Sequence, residues 1–339
     1  ERREIHLALA DIHENKLHST DSAFFSYVQA VQESPSKTKL HGELRRLAEV
    51  SSNWETYVSI LEGAVDELSK ATQKVKLLLD IGGVYRDMLL APESALECYN
   101  RVLDFDQTNR TALDALEALY AATGAAEELI GIYQRKLEVL EDEGARKETL
   151  FALAHAWQHN LQNNGEAESL LREMLAIYPE DTVVHDRLVA ICLDEARFAD
   201  VGDVLRQKRD VLVAADAPTS QLADLECELG MLSYATREEG MGVDEAVGHY
   251  EAALAHEEGH QESVLRLEEL ISDEDAQLRI SQILEGVYRQ TSNLPALADS
   301  LEIQLSHADA DGRSGDAWKL LGSLGSIYSD DLSNEELTW

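Results

Sequence analysis

One amphipathic segment occurs four times along the chain, and this repetition restricts the possible folds more than any other feature. In each copy an alanine is followed by apolar side chains four and seven residues later, which is the spacing of one helix face. The alanines are Ala23, Ala95, Ala167 and Ala246, at intervals of 72, 72 and 79 residues. The copies read SAFFSYVQAVQESP from Ser22, SALECYNRVLDFDQ from Ser94, EAESLLREMLAIYP from Glu166 and EAVGHYEAALAHEE from Glu245. Such self-similarity predicts a helical array.

A partner helix precedes each copy. It carries a small or slim residue that is followed three positions later by a ring, and small next to large lets two helices approach closely. The pairs are Ala10 and His13, Gly82 and Tyr85, Ala154 and Trp157, and Met231 and Tyr234. Each copy and its partner are therefore predicted to form an antiparallel helix hairpin.

A second hairpin fills the rest of each block. Its second helix is predicted to begin at Asn53, Ala125, Arg197 and, after a longer insertion, Asn293. None of the 5 prolines interrupts a predicted helix, where proline would break the hydrogen-bond ladder.

We expect one continuous array with blocks at about residues 3–71, 72–145, 146–217 and 218–310, and a further repeat beginning over 313–339. A single first helix over 313–339 cannot bury its apolar stripe. We therefore expect the native chain to continue past Trp339.

The hairpins resemble the tetratricopeptide repeat, a helix-turn-helix unit of about 34 residues. The best copy spans residues 77–107 and has Gly82 and Tyr85 in its first helix and Ala95 in its second, but Gln107 stands where proline is usual. The second hairpins are degenerate. The resemblance implies an all-α fold, a right-handed superhelix of stacked hairpins whose concave face holds other proteins. The two-lysine, two-asparagine clamp by which some family members bind a peptide carboxylate is not discernible.

Charge narrows the possible partners. The net charge is −36, from 65 acidic and 29 basic residues, so phosphate backbones and anionic membranes would be repelled, and we predict no nucleic-acid partner. Residues 218–339 hold 26 acidic and 6 basic residues. This acidic third either keeps a helical surface solvated or steers a basic protein partner.

The sequence favours no direct membrane insertion, because no segment approaches the roughly 18 consecutive apolar residues that a membrane helix needs. No signal peptide is visible, which favours a cytoplasmic location, but the chain begins at Glu1 and its true N-terminus is not seen.

The stretch His256-Glu257-Glu258-Gly259-His260 matches the H-E-x-x-H pattern of zinc metalloproteases. That chemistry requires both histidines on one face of a continuous helix. Alignment with the other copies places the motif across the end of one helix and the start of the next, with Gly259 as the helix terminator. We therefore predict a turn, with no catalytic residue, no metal site and no cofactor.

Two further features are interpreted as structural. His155 and His159 lie one helical turn apart without an evident third ligand, so we interpret them as surface or packing residues. Cys98, Cys192 and Cys227 are far apart and sit among apolar residues, which predicts buried thiols rather than disulfides.

The sequence thus predicts a non-enzymatic scaffold for protein–protein interaction. Its partners would be proteins or peptides, with a basic surface or a second copy of the chain as options. The alternatives are a self-associating, filament-forming solenoid and the regulatory arm of a larger protein. Solvent-directed residues of the first helices are the candidate inner, partner-binding face: Asn15, Arg86, Asp87, His159 and Arg237.

Overall fold

The computed structural model describes residues 1–237, 242–310 and 312–328, and it confirms an all-α fold of antiparallel helix hairpins like those of tetratricopeptide repeats. The chain divides into two compact units, Glu1–Leu170 and Leu171–Trp339.

Unit 1 contains four successive helix hairpins and the helix that opens a fifth. The last of its helices crosses into unit 2. The helices are α1 (Arg2–Asn15), α2 (Thr20–Gln32), α3 (Thr38–Ser51), α4 (Trp54–Glu67), α5 (Ala71–Asp87), α6 (Pro92–Phe105), α7 (Arg110–Thr123), α8 (Ala126–Val139), α9 (Glu143–His155), its π-helical continuation (Ala156–Asn160), and α10 (Asn164–Ile177).

Unit 2 continues in the same way after the end of α10. Its helices are α11 (Thr182–Asp194), α12 (Phe198–Ala214), α13 (Thr219–Ala235), α14 (Val243–His256), α15 (Gln261–Leu270), α16 (Gln277–Thr291), α17 (Leu294–Ala310) and α18 (Ser314–Ser326). Gly325 and Tyr328, which the sequence aligns with Gly82 and Tyr85, lie in α18 and at its end. Trp339 and the predicted continuation of that repeat lie outside the described residues.

The predicted repeat is confirmed by where the helices begin. The second helices of the first hairpins start at Thr20, Pro92, Asn164 and Val243, at the intervals of 72, 72 and 79 residues expected from the alanines. Pro92 occupies the first helical position, where its missing N–H costs nothing.

The insertion before Asn293 forms an extra helix. The second helices of the second hairpins start at Trp54, Ala126 and Phe198, 72 residues apart, but the next starts at Leu294, 96 residues later. In this last block α16 and α17 form the hairpin and α15 is the added element, which contacts both α14 and α16.

The turns repeat as regularly as the helices. Within unit 1 the residue with positive φ between the helices of a first hairpin is His18 (φ 51), Leu90 (φ 49) or Gln162 (φ 54), at intervals of 72. The backbone N–H of the following residue donates to the carbonyl six residues back, over 2.9, 2.8 and 2.9 Å. This is the Schellman cap, which satisfies carbonyls left open at a helix end.

Each unit buries its hairpins against one another. In unit 1 a single apolar cluster runs from α2 to α8, with Phe24, Tyr57 and Leu116 fully buried in it. In unit 2 a cluster from α13 to α18 contains Tyr250 and Leu301. Because each hairpin shares its core with neighbours, it gains its stability from stacking.

The small-beside-large packing is present in both units. The Cα of Gly82 faces the Tyr99 ring so closely that a Cβ there would lie 3.0 Å from Cε1. In unit 2 the corresponding pair is Gly230 and Tyr250, where a Cβ would lie 2.6 Å from Cε1. The slim residue predicted for this hairpin, Met231, is only half-buried and is next to the true contact position. The two residues added to the α13–α14 turn account for the shift.

The three cysteines are buried free thiols, as predicted. Burial raises the pKa of Cys98 to about 12, so this thiol stays protonated at neutral pH. Over the ranges that the structure describes, no helix is both long enough and apolar enough to span a membrane. The single array and its right-handed superhelix stay predictions.

Candidate functional site

The predicted inner-face residues lie at the C-terminal ends of the first helices. Asn15 ends α1, Asp87 ends α5 and His159 lies in the π-helical turn that extends α9. Arg237 follows α13. All five side chains, with Arg86, are exposed, so nothing in their packing prevents contact with a partner.

The contacts of these side chains are local. The Asn15 amide donates to Asp11 over 2.7 Å. Arg86 donates through two nitrogens to the two carboxylate oxygens of Asp87, over 2.7 and 2.9 Å. This bidentate pair lowers the pKa of the Asp87 carboxyl, because the ionised form accepts both hydrogen bonds. Of the predicted set, the structure brings these two residues together.

Ring contacts hold the other two residues. The His155 and His159 rings lie 4.4 Å apart between centroids, at an interplanar angle of 55°. The Arg237 guanidinium lies 4.4 Å from the centre of the Tyr234 ring, a cation–π contact, and donates to the Tyr234 carbonyl over 3.2 Å. Both contacts stay within one helix or its end.

The HEEGH stretch forms the predicted turn. His256 is the last residue of α14, Gly259 has φ 82, and α15 begins at Gln261. His260 caps α15 by accepting from the Ser263 backbone N–H, and its Nε2 lies 3.1 Å from Asp224 of α13. The two histidines therefore belong to different elements, and the metalloprotease arrangement is not formed.

A buried ion-pair network in unit 2 was not predicted. Glu226 of α13 lies 2.7 Å from His249 of α14 and 3.7 Å from Arg209 of α12. Burial opposes ionisation of this carboxyl, but the hydrogen bond with His249 and both neighbouring charges hold its pKa below the usual value. A glutamate on an apolar helix face gives no sequence signal of this role. Its function here is to join three helices.

A cavity of about 210 Å³ in unit 1 was also missed. It lies between α3, α4 and α5. Its inner wall contains His41, Tyr57, Leu68 and Leu77, all buried. Such a space depends on which side chains of three helices fail to meet, and a single sequence does not encode that in any readable pattern.

Polar groups converge on this cavity. Asp80 of α5 accepts hydrogen bonds from Tyr57 of α4 and from Arg45 of α3. The buried Nε2 of His41 has no hydrogen-bond partner. The other ring nitrogen must be the one bonded to the backbone of Pro35, and since proline has only a carbonyl to offer, the imidazole donates.

The positions of the charges make the cavity distinct in an acidic protein. Lys76 and Arg45 both line it, against the single carboxylate of Asp80. Burial lowers the pKa of His41, and the positive charge of Lys76 lowers it further against the effect of the Pro35 hydrogen bond. The free protein therefore holds a neutral imidazole beside a cationic rim.

Comparison with known proteins gives no family model that matches and no match among curated proteins. Solved tetratricopeptide-repeat structures are similar to the chain. One is a repeat protein from Parabacteroides merdae, at 16% identity and a TM-score of 0.33, covering 84% of this chain and 98% of its own.

Two further structures have printed descriptions that mention ligands. YrrB, a TPR protein with an unusual peptide-binding site, is 15% identical with a TM-score of 0.35, covering 61% of this chain and 97% of its own. The TPR2AB domain of yeast Sti1, in a complex with pHSP90, is 16% identical with a TM-score of 0.33, covering 84% and 98%. TM-scores this low carry no argument, so the likeness to the repeat rests on the hairpins described above.

Proposed function

We propose that the chain is a non-enzymatic scaffold that binds other proteins or peptides. The observation that carries this proposal is the separation of packing from surface along the first helices of the hairpins. In α5, Leu77, Ile81 and Val84 are buried, whereas Arg86 and Asp87 at its end are exposed and bond only to each other. The exposed positions can therefore vary to suit a partner while the stacking stays fixed.

The proposed binding face consists of Asn15, Arg86, Asp87, His159 and Arg237. An acidic C-terminal third, with 26 acidic and 6 basic residues over 218–339, supports a basic surface on the partner. The charge would act mainly on the association rate and would be screened by salt. We propose the cytoplasm as its location.

Paired affinity capture tests the proposal. The full chain and a variant carrying Asn15→Ala, Arg86→Ala, Asp87→Ala and His159→Ala are used to capture proteins from the native lysate. The control variant changes exposed residues of second helices, Glu97→Ala and Asp104→Ala on α6. We expect a reproducible partner that the control retains and the four-residue variant loses. Equal recovery by both variants would remove these residues from the binding face.

A second candidate function is self-association, and one observation favours it. On α1, Ile5, Leu9 and Ile12 form an apolar stripe with exposed fractions of 56%, 41% and 38%. The residues 72 positions later, on α5, are buried against neighbouring helices. The α1 stripe is therefore a packing face without its partner helix, and a second copy of the chain would supply one.

A further inference from the structure

We propose that the cavity between α3, α4 and α5 binds a carboxylate carried on a compact apolar group. The carboxylate would contact Lys76 and a protonated His41, and the apolar group would pack on Leu68 and Leu77. This site does not rest on the scaffold function and would exist without it.

The size of the cavity sets the size of the ligand. Pockets for drug-sized ligands measure about 300–1,000 Å³, and this one is smaller, at about 210 Å³. It accommodates one group of the size of an amino-acid side chain. The apolar part of the wall consists of Leu68 and Leu77, each 5% exposed, and the Tyr57 ring, which is fully buried.

The charges select an anion. Arg45 is engaged with Asp80, and the same carboxylate accepts from Tyr57, so these three groups largely satisfy one another. Lys76 remains as a positive charge that the other lining groups do not neutralise, next to the unpartnered His41 Nε2. A ligand carboxylate would satisfy both groups, whereas a cation would meet Lys76.

The lining differs from the two-lysine, two-asparagine clamp. It holds one lysine, one arginine and one histidine, and no asparagine. Two sources could supply the ligand, a free short-chain carboxylic acid and the terminal carboxylate of a peptide ending in an apolar residue.

Binding should take up a proton. In the free protein, burial and Lys76 disfavour the imidazolium form of His41. A bound carboxylate would offset both effects and raise the pKa of His41. Affinity should then increase as the pH falls through the His41 pKa of the complex, by up to about tenfold per pH unit. Asp80 and Arg45 stay paired over this range, and Tyr57 stays neutral because burial raises its pKa to about 12.

The test is an NMR titration of the full chain labelled at histidine, with the His41 resonance assigned from His41→Gln. The probes are isocaproate and its neutral analogue isocaproamide. We expect isocaproate to shift the His41 resonance saturably and to raise its pKa, and the amide to bind at least about tenfold more weakly.

Matched glycine variants separate the cavity from nonspecific binding. Gly42 lines the cavity on α3 and a Cβ there meets no atom within 4 Å, so Gly42→Leu should fill the space without a clash and abolish the shift. Gly63→Leu on α4, equally open but outside the lining, should leave binding unchanged. Circular dichroism checks that both variants keep their helices.

Acetyl-alanyl-leucine with a free or an amidated terminus distinguishes the two sources. Tighter binding of the free-terminus peptide than of isocaproate identifies a peptide end, and binding of isocaproate alone identifies a free acid. Either result supports the site. The proposal is overturned if neither acid shifts His41, if the amide binds as well as the acid, or if Gly42→Leu binds like the unmodified chain.

Discussion

Single glycines decide how closely the helices of a hairpin pack. The Tyr99 and Tyr250 rings lie where a side chain on Gly82 or Gly230 would have to be. Since packed interiors accept extra atoms only by shifting, these two positions should tolerate substitution least.

Alanine substitutions test this packing. Gly230→Ala should lower the free energy of unfolding by about 1–3 kcal/mol, and Gly82→Ala by less, because its ring clearance is larger. Gly131→Ala in α8 is the control. A Cβ there meets no atom within 4 Å, so it should stabilise the helix by about 0.5–1 kcal/mol. Denaturant melts measure all three, and a stabilised Gly230→Ala would disprove the close contact.

Residues with positive φ make the turns, and most of them are not glycine. Ala196 between α11 and α12 has φ 55 and an exposed side chain. A left-handed conformation costs an L-residue about 1–2 kcal/mol, although glycine loses more entropy on folding.

Ala196→Gly should therefore stabilise the protein by about 0.5–1 kcal/mol. Ala190→Gly, at an exposed position inside α11, should instead cost about 1 kcal/mol. Thermal melts of the two variants compare them directly. A loss of stability in both would show that residue 196 does not adopt the left-handed conformation.

Helices were predictable from the sequence because their packing positions recur. The alanine columns gave helix starts at intervals of 72, 72 and 79 residues, and the structure has the same intervals. The sequence did not reveal α15, because an insertion that occurs once has no second copy to align with. The left-handed turn residues escaped notice for a related reason, since His18, Leu90 and Gln162 share a backbone conformation but no chemistry.

The candidate site was less predictable than the fold. Exposure of Asn15, Arg86, Asp87, His159 and Arg237 followed from the helix periodicity, and the structure has it. The mutual pairing of Arg86 with Asp87 and the cavity near His41 depend on side-chain positions. Those positions are set by neighbouring helices that one helix's own pattern does not describe.

Glu226 joins three helices of unit 2, and its ionisation should make that unit sensitive to acid. The pKa of this carboxyl is lowered in the folded protein. Its stabilising contribution is therefore present above the unfolded pKa of about 4.5 and is lost as the pH falls through the folded pKa.

Glu226→Gln should weaken the protein at neutral pH by about 1–3 kcal/mol and should reduce its loss of stability on acidification. The measurement is the urea midpoint between pH 7 and pH 3. Glu251→Gln, an exposed carboxyl paired with Arg279, is the control and should change little. An unchanged acid profile in Glu226→Gln would show that the carboxyl titrates alike in both states.

Across the molecule, the apolar stripe of α1 bears on the state of association. If a second copy covers Ile5, Leu9 and Ile12, the full chain should sediment as a dimer or larger species at micromolar concentration. Leu9→Glu should then return it to a monomer, whereas Gln29→Glu on the exposed face of α2 should not. A monomeric chain at all concentrations would leave the scaffold function without this second role.

The central claim is that partners bind at the ends of the first helices. Hydrogen exchange of the full chain, with and without a partner recovered by capture, tests it most directly. The account predicts slower exchange at the C-terminal ends of α1, α5 and α13 and in the π-helical turn after α9. Protection confined to the second helices α2, α6, α10 and α14 would contradict it.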